Sequence, residues 1–183
     1  MKDSMPALPL VLAAAALATS AAYAQAPVIP GGYPARPVRV IVTFAAGGAA
    51  DFVTRIVSQK LSERIGQQFV VENRAGAAGN IGAEAVAKSP NDGYTLLMVE
   101  AGLPGFDSVG SYALLAPAGT SKDIVAYLNR ETNAVLQLAD LKEKLVVAGI
   151  DPAGSTPEAL DAFTKAEVVK WAQVIKAAGI TPE

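Results

Sequence analysis

Two loops rich in glycine and alanine are the parts of this sequence best suited to hold a ligand. The first spans residues 44–51 and the second spans residues 76–80. Neither has bulky side chains at its centre, so a ligand can touch the backbone. N–H groups at the start of a following helix donate hydrogen bonds and carry partial positive charge, which suits a carboxylate. The expected ligand-binding residues are Phe44, Ala45, Ala46, Gly47, Gly48, Asp51, Gly76, Ala77, Ala78, Gly79 and Asn80.

Each loop also has a simpler interpretation, as a tight turn between a strand and a helix. Asp51 either caps the helix that follows it, a common role for aspartate, or accepts a hydrogen bond from a ligand. Arg74 could pair with an anionic ligand, but an ion pair with Glu72 or a solvent-exposed role is the interpretation we favour. Two such loops after neighbouring strands favour a binding site over two unrelated turns.

The residue inventory disfavours an enzyme. The 183 residues include no cysteine and no histidine, which excludes a Ser-His-Asp triad, a thiol nucleophile, a disulfide and an ordinary zinc or haem site. Residues 76–82 read G-x-x-G-x-x-G, which departs from the dinucleotide-binding G-x-G-x-x-G and follows the second strand rather than the first. A net charge of -2 provides no basic field for nucleic acid. We expect no cofactor, no metal and no nucleic-acid partner.

The elements that position the two loops alternate between strand and helix. β-branched and apolar residues predict buried strands at 38–44, 68–72 and 94–99. Apolar residues at helical spacing predict a helix that ends at Gly66, and a second, short helix runs through Lys88. This βαβαβ order predicts a parallel sheet, and both loops follow strands at the carboxyl edge, where open α/β sheets bind ligands.

The pattern changes after Val99 and becomes mainly helical. A loop is expected at residues 100–111 and a fourth strand at 112–117. Thr120 with Asp123 resembles a capping box that opens a helix extending to Leu138, and a shorter helix follows at 141–147. Thr156 then predicts the N-cap of a last helix. We expect Tyr94 and Trp171 to pack in the core rather than bind a ligand.

Residues 1–24 have the features of a cleaved secretory signal. Lys2 is followed by an apolar stretch at residues 7–18 and by the small-x-small motif Ala22-Tyr23-Ala24. An uncleaved membrane anchor is the alternative, but polar residues and Pro9 interrupt the apolar run. We expect cleavage after Ala24 and a periplasmic location.

Seven ordered motifs give the sequence a recognisable family pattern. They are Tyr33-Pro34-x-Arg36-Pro37-Val38-Arg39, Phe44-x-x-Gly47-Gly48-x-x-Asp51, Val71-Glu72-Asn73-Arg74-x-Gly76-Ala77-x-Gly79-Asn80-Ile81-Gly82, Pro90-x-Asp92-Gly93-Tyr94-Thr95-Leu96-Leu97, Gly102-Leu103-Pro104-Gly105-Phe106, Leu115-Ala116-Pro117-Ala118-Gly119-Thr120 and Trp171-x-x-Val174-Ile175-x-x-Ala178-Gly179-Ile180. With these motifs the chain resembles the Bug-type extracytoplasmic solute receptors of the tripartite tricarboxylate transporter. The motifs cover nearly all of the chain after residue 24.

The resemblance implies an α/β fold of the periplasmic-binding-protein kind, type II, in which two lobes close like a Venus flytrap. Such receptors hold a small di- or tricarboxylate, or a related organic acid, through backbone N–H groups, and they deliver it to the membrane components of a tripartite transporter. In the family, a long segment that builds the second lobe follows the strand at 95–99. Here Val99-Glu100 runs directly into residues 101–106.

The expected architecture is therefore one lobe with an internal truncation. Residues 1–24 form the signal, 25–99 the N-terminal α/β lobe, and 100–183 a strand and helices that in the family follow the missing second lobe. The expected function is a periplasmic receptor that captures a small carboxylate, impaired by the missing segment. The alternative is a truncated remnant that binds no ligand, or an interaction module.

Overall fold

A four-stranded sheet organises the protein. The computed structural model describes residues 31–101 and 111–179, and the signal predicted at 1–24 lies outside them. The strands are β1 (Val38–Val42), β2 (Phe69–Asn73), β3 (Thr95–Ala101) and β4 (Ser111–Leu115), in the spatial order β2-β1-β3-β4. β1 pairs in parallel with β2 and β3, whereas β4 pairs antiparallel with β3. The predicted parallel βαβαβ arrangement is confirmed.

Helices cover both faces of the sheet. In the described residues they are α1 (Ala49–Ile65), α2 (Asn80–Ala87), α3 (Lys122–Leu136), α4 (Ala139–Val147) and α5 (Pro157–Ala177), with a 3-10 turn at Ala77–Gly79 before α2. The larger core contains apolar side chains of β1, α1, α3 and α4. A smaller cluster of Ile41, Val86 and Leu97 lies under α2 on the opposite face. None of the helices described here has the length and apolar character that crossing a membrane requires.

The end of α1 follows the predicted pattern. Gly66 adopts a left-handed conformation with φ of 79°, which glycine reaches without a Cβ penalty. Its N–H donates to the carbonyl of Ser62 at 2.9 Å. The helix therefore stops where the sequence predicted, and the chain turns back toward β2.

A buried ion pair joins α1 to α3. The Glu131 side chain has no solvent exposure, and its carboxylate accepts hydrogen bonds from Arg64 Nε at 2.6 Å and Arg130 Nε at 3.0 Å. Both arginines are roughly half exposed, so they hold a buried charge while keeping contact with water. Arg130 also lies over the ring of Tyr127, at 5.1 Å from its centroid.

Several predicted boundaries were wrong, including the end of β1, which is Val42 rather than 44, and β4, which is Ser111–Leu115 rather than 112–117. β3 continues through Ala101, so the chain at Glu100 is strand and not loop. The N-cap of α3 is Ser121, whose hydroxyl accepts from the Ile124 N–H at 3.3 Å, while Thr120 Oγ1 instead donates to a carbonyl of the preceding turn. Leu138 was expected in α3 but is the N-cap of α4. In each case, hydrogen bonds of the neighbouring chain fix a boundary that apolar spacing only approximates.

The two aromatic predictions had different outcomes. Tyr94 packs against the core as expected, with its ring centroid 5.0 Å from that of Tyr33. Trp171 does not, because no residue of α5 is buried in the structure described here. Its Nε1 donates to Glu167 on the same helix at 2.9 Å. α5 does begin as predicted, with the Thr156 hydroxyl accepting from the Ala159 N–H.

Candidate ligand site at the carboxyl edge of the sheet

The two glycine-rich loops lie side by side. Val42 ends β1 opposite Asn73, which ends β2, and the N–H of Arg74 donates to the Val42 carbonyl at 2.8 Å. Because both strands point the same way, the loop after β1 and the loop after β2 leave the sheet at one edge. Most residues of both loops are exposed there. The structure therefore brings the two predicted segments together, as the strand pattern required.

Asp51 holds the first loop in place from within the protein. The residue is buried, and its Oδ2 accepts from the Gly47 N–H at 2.9 Å and from Arg55 Nε at 3.0 Å. Oδ1 contacts the Arg55 guanidinium at 2.9 Å. The N-cap position itself is Gly48, so Asp51 lies in the first turn and fixes the loop just ahead of the cap. This arrangement is closer to the capping role than to a free acceptor for a ligand.

Asn73 ties the two loops together, a role that the sequence analysis missed. Its Nδ2 donates to the Phe44 carbonyl and to Asp51 Oδ1, both at 3.0 Å. Its Oδ1 accepts from Arg55 at 3.0 Å. The sequence signal for this role was the amide side chain of Asn73, which lies where β2 ends. The loop after β1 begins beside it at the same edge of the sheet, so the amide can bond to that loop. The network makes the relative position of the loops independent of any ligand.

Arg74 forms the local ion pair that the sequence favoured. Its Nε lies 2.7 Å from Glu72 Oε1, and Arg39 binds the other oxygen of the same carboxylate at 2.6 Å. Hydrogen bonds from Arg39 and then Arg74 lower the pKa of Glu72 below its ordinary value. Because Glu72 already holds the Arg74 guanidinium, Arg74 is a weaker anchor for a ligand than its position alone suggests, although one carboxylate between two arginines leaves a net positive charge.

The second loop has a strained backbone. Ala77 and Ala78 have φ angles of 46° and 52°, in the left-handed region that residues with a Cβ rarely adopt. Such conformations cost about 1–3 kcal/mol each and are concentrated at functional sites. In the described residues these two are the sole non-glycine positions with positive φ. The strain therefore coincides with the segment predicted to bind a ligand.

Close packing explains the glycine spacing of this loop. A Cβ at Gly82 would lie 2.9 Å from the Arg74 carbonyl oxygen and 3.1 Å from Thr43 Cγ2. A Cβ at Gly79 would lie 3.2 Å from Thr43 Cβ. The glycines thus let the loop and α2 sit directly on the end of β1. The G-x-x-G-x-x-G pattern has a packing reason here that requires no dinucleotide.

The charge of Asp51 gives the site a testable pH dependence. The hydrogen bond from Arg55 is the main reason that the pKa of Asp51 falls to about 2 from its ordinary 3.8; Gly47 and Asn73 add to the effect and burial opposes it. A lowered carboxyl pKa adds stability that is complete above the unfolded value and disappears as the pH falls from about 4 through 2. The shift corresponds to about 2 kcal/mol.

We therefore expect Asp51→Asn to be about 2 kcal/mol less stable than the unmodified protein at pH 6, with the gap shrinking toward pH 2. Urea unfolding of both proteins across this range measures the difference. The comparison cancels the titration of Glu72 and other carboxyl groups that the two proteins share. A gap that stays constant from pH 6 to pH 2 would contradict the assigned role of the Asp51 charge.

A cleft in the described structure lies elsewhere. It measures about 540 Å³ and runs between β4, α3 and the start of α5. No predicted ligand-binding residue lines it. Within residues 31–101 and 111–179 there is also no cluster of three or more acidic side chains that could hold a metal ion. The two loops form an open edge rather than an enclosed pocket.

Sequence comparisons identify the relatives of this chain. The model of the tripartite tricarboxylate transporter family receptor matches residues 53–102. A UPF0065 protein encoded in the tcbD-tcbE intergenic region of a Pseudomonas species is 54% identical over 71 residues, which are 39% of this chain and 21% of that protein. Protein BugT of Bordetella pertussis is 49% identical over 79 residues, 43% of this chain and 24% of BugT. A UPF0065 protein of Cupriavidus necator is 31% identical over 157 residues, 86% of this chain and 43% of that protein.

Solved structures confirm the fold. Periplasmic binding protein BugD superposes with a TM-score of 0.76 at 19% identity, and R. palustris Rpa4515 with adipate superposes with a TM-score of 0.75 at 20% identity. Each match covers 82% of this chain and 100% of the other chain. The fold is thus that of the periplasmic binding proteins. Over residues 53–102 the chain is similar in sequence to the tripartite tricarboxylate transporter family receptors, and it spans about a fifth to less than half of the length of the three curated proteins above.

Proposed function

We propose that this protein is a solute receptor that binds a small carboxylate at the loops after β1 and β2. The observation that carries the proposal is the pairing of the two loops at one sheet edge, where the Asp51, Asn73 and Arg55 network fixes their positions. Most residues of the two loops at this edge are exposed to solvent. The proposed ligand-contacting residues remain 44–48 and 76–80, and Asp51 contributes by positioning the first loop.

Backbone donors account for the choice of an anion. The N–H groups of Ala49 and Ala50 lie in the first turn of α1, ahead of the helix's own hydrogen-bond ladder, and this end carries partial positive charge. Asp51 does not repel an anion strongly, because Arg55 neutralises it at hydrogen-bond distance. The neighbouring turn before α2 supplies further backbone donors. A di- or tricarboxylate could then contact both loops with its separate carboxyl groups.

The similarity to this family and the fold support a cellular role as an exported receptor. We infer export through the signal at 1–24 with cleavage after Ala24, periplasmic residence, and delivery of the ligand to the membrane components of a tripartite transporter. Residues 25–99 would form the binding lobe, and 100–183 the strand and helices that follow the missing second lobe. This role is that of a receptor and includes no catalytic step.

A ligand site formed by one lobe, without a second lobe to enclose the ligand, is expected to bind weakly. Water remains in contact with the bound carboxylate, so each backbone hydrogen bond contributes only about 0.5–1.5 kcal/mol. We expect a Kd of about 1 mM or higher, which corresponds to a binding free energy of about -4 kcal/mol or weaker. At 10 mM ligand and a 1 mM Kd, binding stabilises the fold by about 1.4 kcal/mol, or about 3–5 °C in melting temperature.

A thermal melt with adipate, succinate and citrate tests this proposal. Adipate is included because it is the ligand in the Rpa4515 structure. Ala46→Asp places a negative charge in the exposed first loop and should abolish the stabilisation, whereas the control Ala159→Asp adds the same charge to the exposed first turn of α5 and should retain it. Equal responses of the two variants, or no response to any acid, would argue against a carboxylate site. A submicromolar Kd for a monomer would contradict a site that is formed by one lobe alone.

A second candidate function is an interaction module without ligand binding. The supporting observation is α5, none of whose residues is buried although it carries exposed Phe163, Val168, Val169, Val174 and Ile175. Such a surface favours association with another protein. A monomer that melts cooperatively and takes up little apolar dye would argue against this alternative.

A further inference from the structure

The exposed side chains of the two paired loops are almost all apolar. In the first loop, residues 44–49 are exposed, and their side chains are one phenyl ring, methyl groups and glycine hydrogens. In the second loop, the exposed residues 75–78 are alanine and glycine. In residues 44–49 and 75–80, Asn80 is the one exposed polar side chain. A ligand at this edge therefore meets apolar side chains and polar backbone groups.

Larger apolar side chains add to this surface. Four large apolar side chains are exposed in residues 31–101, and three of them lie in the first loop or in the first turn of a helix that follows one of the loops. Phe44 is 41% exposed in the first loop, Phe52 is 40% exposed in α1, and Ile81 is 51% exposed in α2. Exposed apolar side chains that gather around a site, rather than scatter singly, are typical of a surface that contacts a ligand.

Two of these side chains belong to residues that lie next to the backbone of a loop. A Cβ at Gly76 would be 2.7 Å from Ile81 Cδ1, so the Ile81 side chain covers the bare backbone of Gly76. Phe52 makes the first hydrogen bond of α1, because its N–H donates to the Gly48 carbonyl at 2.9 Å, and this bond places it one turn from the first loop. Each loop therefore has a large, exposed apolar residue close to its backbone.

We propose that the site selects acids with an unsubstituted hydrocarbon body, which contacts Ile81 and Phe52 while the carboxylates bind backbone N–H groups. The inference rests on the proposed function and narrows its ligand class to acids without hydroxyl groups. The Asp51 and Asn73 side chains are already bonded to each other and to Arg55, so they are not free to receive a ligand hydroxyl. A hydroxyl that turns toward the apolar side chains loses water and gains no partner, which weakens binding.

Matched pairs of acids test the ligand class. Tricarballylate is citrate without its hydroxyl group, and succinate is tartrate without its two hydroxyl groups. In amide NMR titrations at about pH 8, where all these carboxyl groups are ionised, we expect each unsubstituted acid to have a Kd at least about threefold lower than that of its hydroxylated partner. Equal or tighter binding of the hydroxy acids would overturn the inference and leave the carboxylate site standing. No saturable binding of any acid would overturn both the inference and the proposed function.

Ile81→Ala tests the assigned side chain. The variant shortens an exposed residue of α2 to a good helix former, so the fold should remain intact. Ile175→Ala is the matched control, because Ile175 is 41% exposed in α5 and belongs to neither loop. We expect Ile81→Ala to weaken adipate binding by about threefold and tartrate binding much less, since adipate has more hydrocarbon to bury. Ile175→Ala should change neither Kd. An equal loss for both acids, or an unchanged adipate Kd in Ile81→Ala, would overturn the role of Ile81.

Discussion

Removing both arginines that face Glu131 is expected to lower the unfolding free energy by about 3–5 kcal/mol, because one carboxylate is then buried without a partner. Glu131 is fully buried between α1 and α3, and Arg64 and Arg130 each donate to a different carboxylate oxygen. No other charged partner of this carboxylate is found in the described residues. Chemical denaturation of Arg64→Ala/Arg130→Ala measures the loss.

Two controls separate this effect from general loss of surface charge. Arg36→Ala removes an exposed ion pair with Asp92 and should change stability by less than about 1 kcal/mol. Adding Glu131→Leu to the double variant removes the unpaired charge and should restore much of the lost stability. If the double variant is as stable as Arg36→Ala, or if the leucine lowers stability further, Glu131 does not depend on its two arginines as described.

Gly82→Ala should destabilise the candidate site by overpacking, at a position where the backbone φ is not left-handed. The new Cβ would lie 2.9 Å from the Arg74 carbonyl oxygen, which is a backbone atom and moves only with the loop after β2. Overpacking of this kind costs about 1–3 kcal/mol. Because the same shift moves the second loop away from the first, we expect Gly82→Ala also to lose any stabilisation by carboxylates.

Gly48→Ala is the matched control. It adds the same methyl group at the same edge, where the nearest atom would be 3.7 Å away, and its φ of -82° suits any residue. Thermal melts should show a change within about 0.5 kcal/mol for this variant. Equal destabilisation by the two alanines would mean that close packing of α2 on β1 does not set the position of the loop.

Local patterns were sufficient to predict the strand and helix order. β1 is buried on both faces and was recognisable as a β-branched run, and Gly66 marked the end of α1 because its backbone requires a left-handed conformation. The position of the two loops also followed from sequence, since loops after parallel neighbouring strands share an edge. These features depend on residues close together in the chain or on the general geometry of α/β sheets.

Features that depend on distant residues were not predictable. Asn73 bonds to a carbonyl 29 positions away, and Glu131 pairs with Arg64 across 67 positions. The apolar spacing of α5 predicted a buried face, but burial needs a neighbouring element, and no residue of α5 is buried in the described structure. The antiparallel direction of β4 likewise depends on its pairing with β3. Periodicity identifies a face, and only the three-dimensional fold specifies what covers it.

Backbone amide NMR with a dicarboxylate titration tests the central claim most directly. A ¹⁵N-labelled protein titrated with adipate to tens of millimolar should show saturable shifts concentrated in the amides of residues 44–51 and 76–80. Ala46→Asp should reduce these shifts, and Ala159→Asp should leave them unchanged. Shifts confined to the cleft beside β4, or no saturable shift for adipate, succinate or citrate, would contradict a carboxylate site at the paired loops.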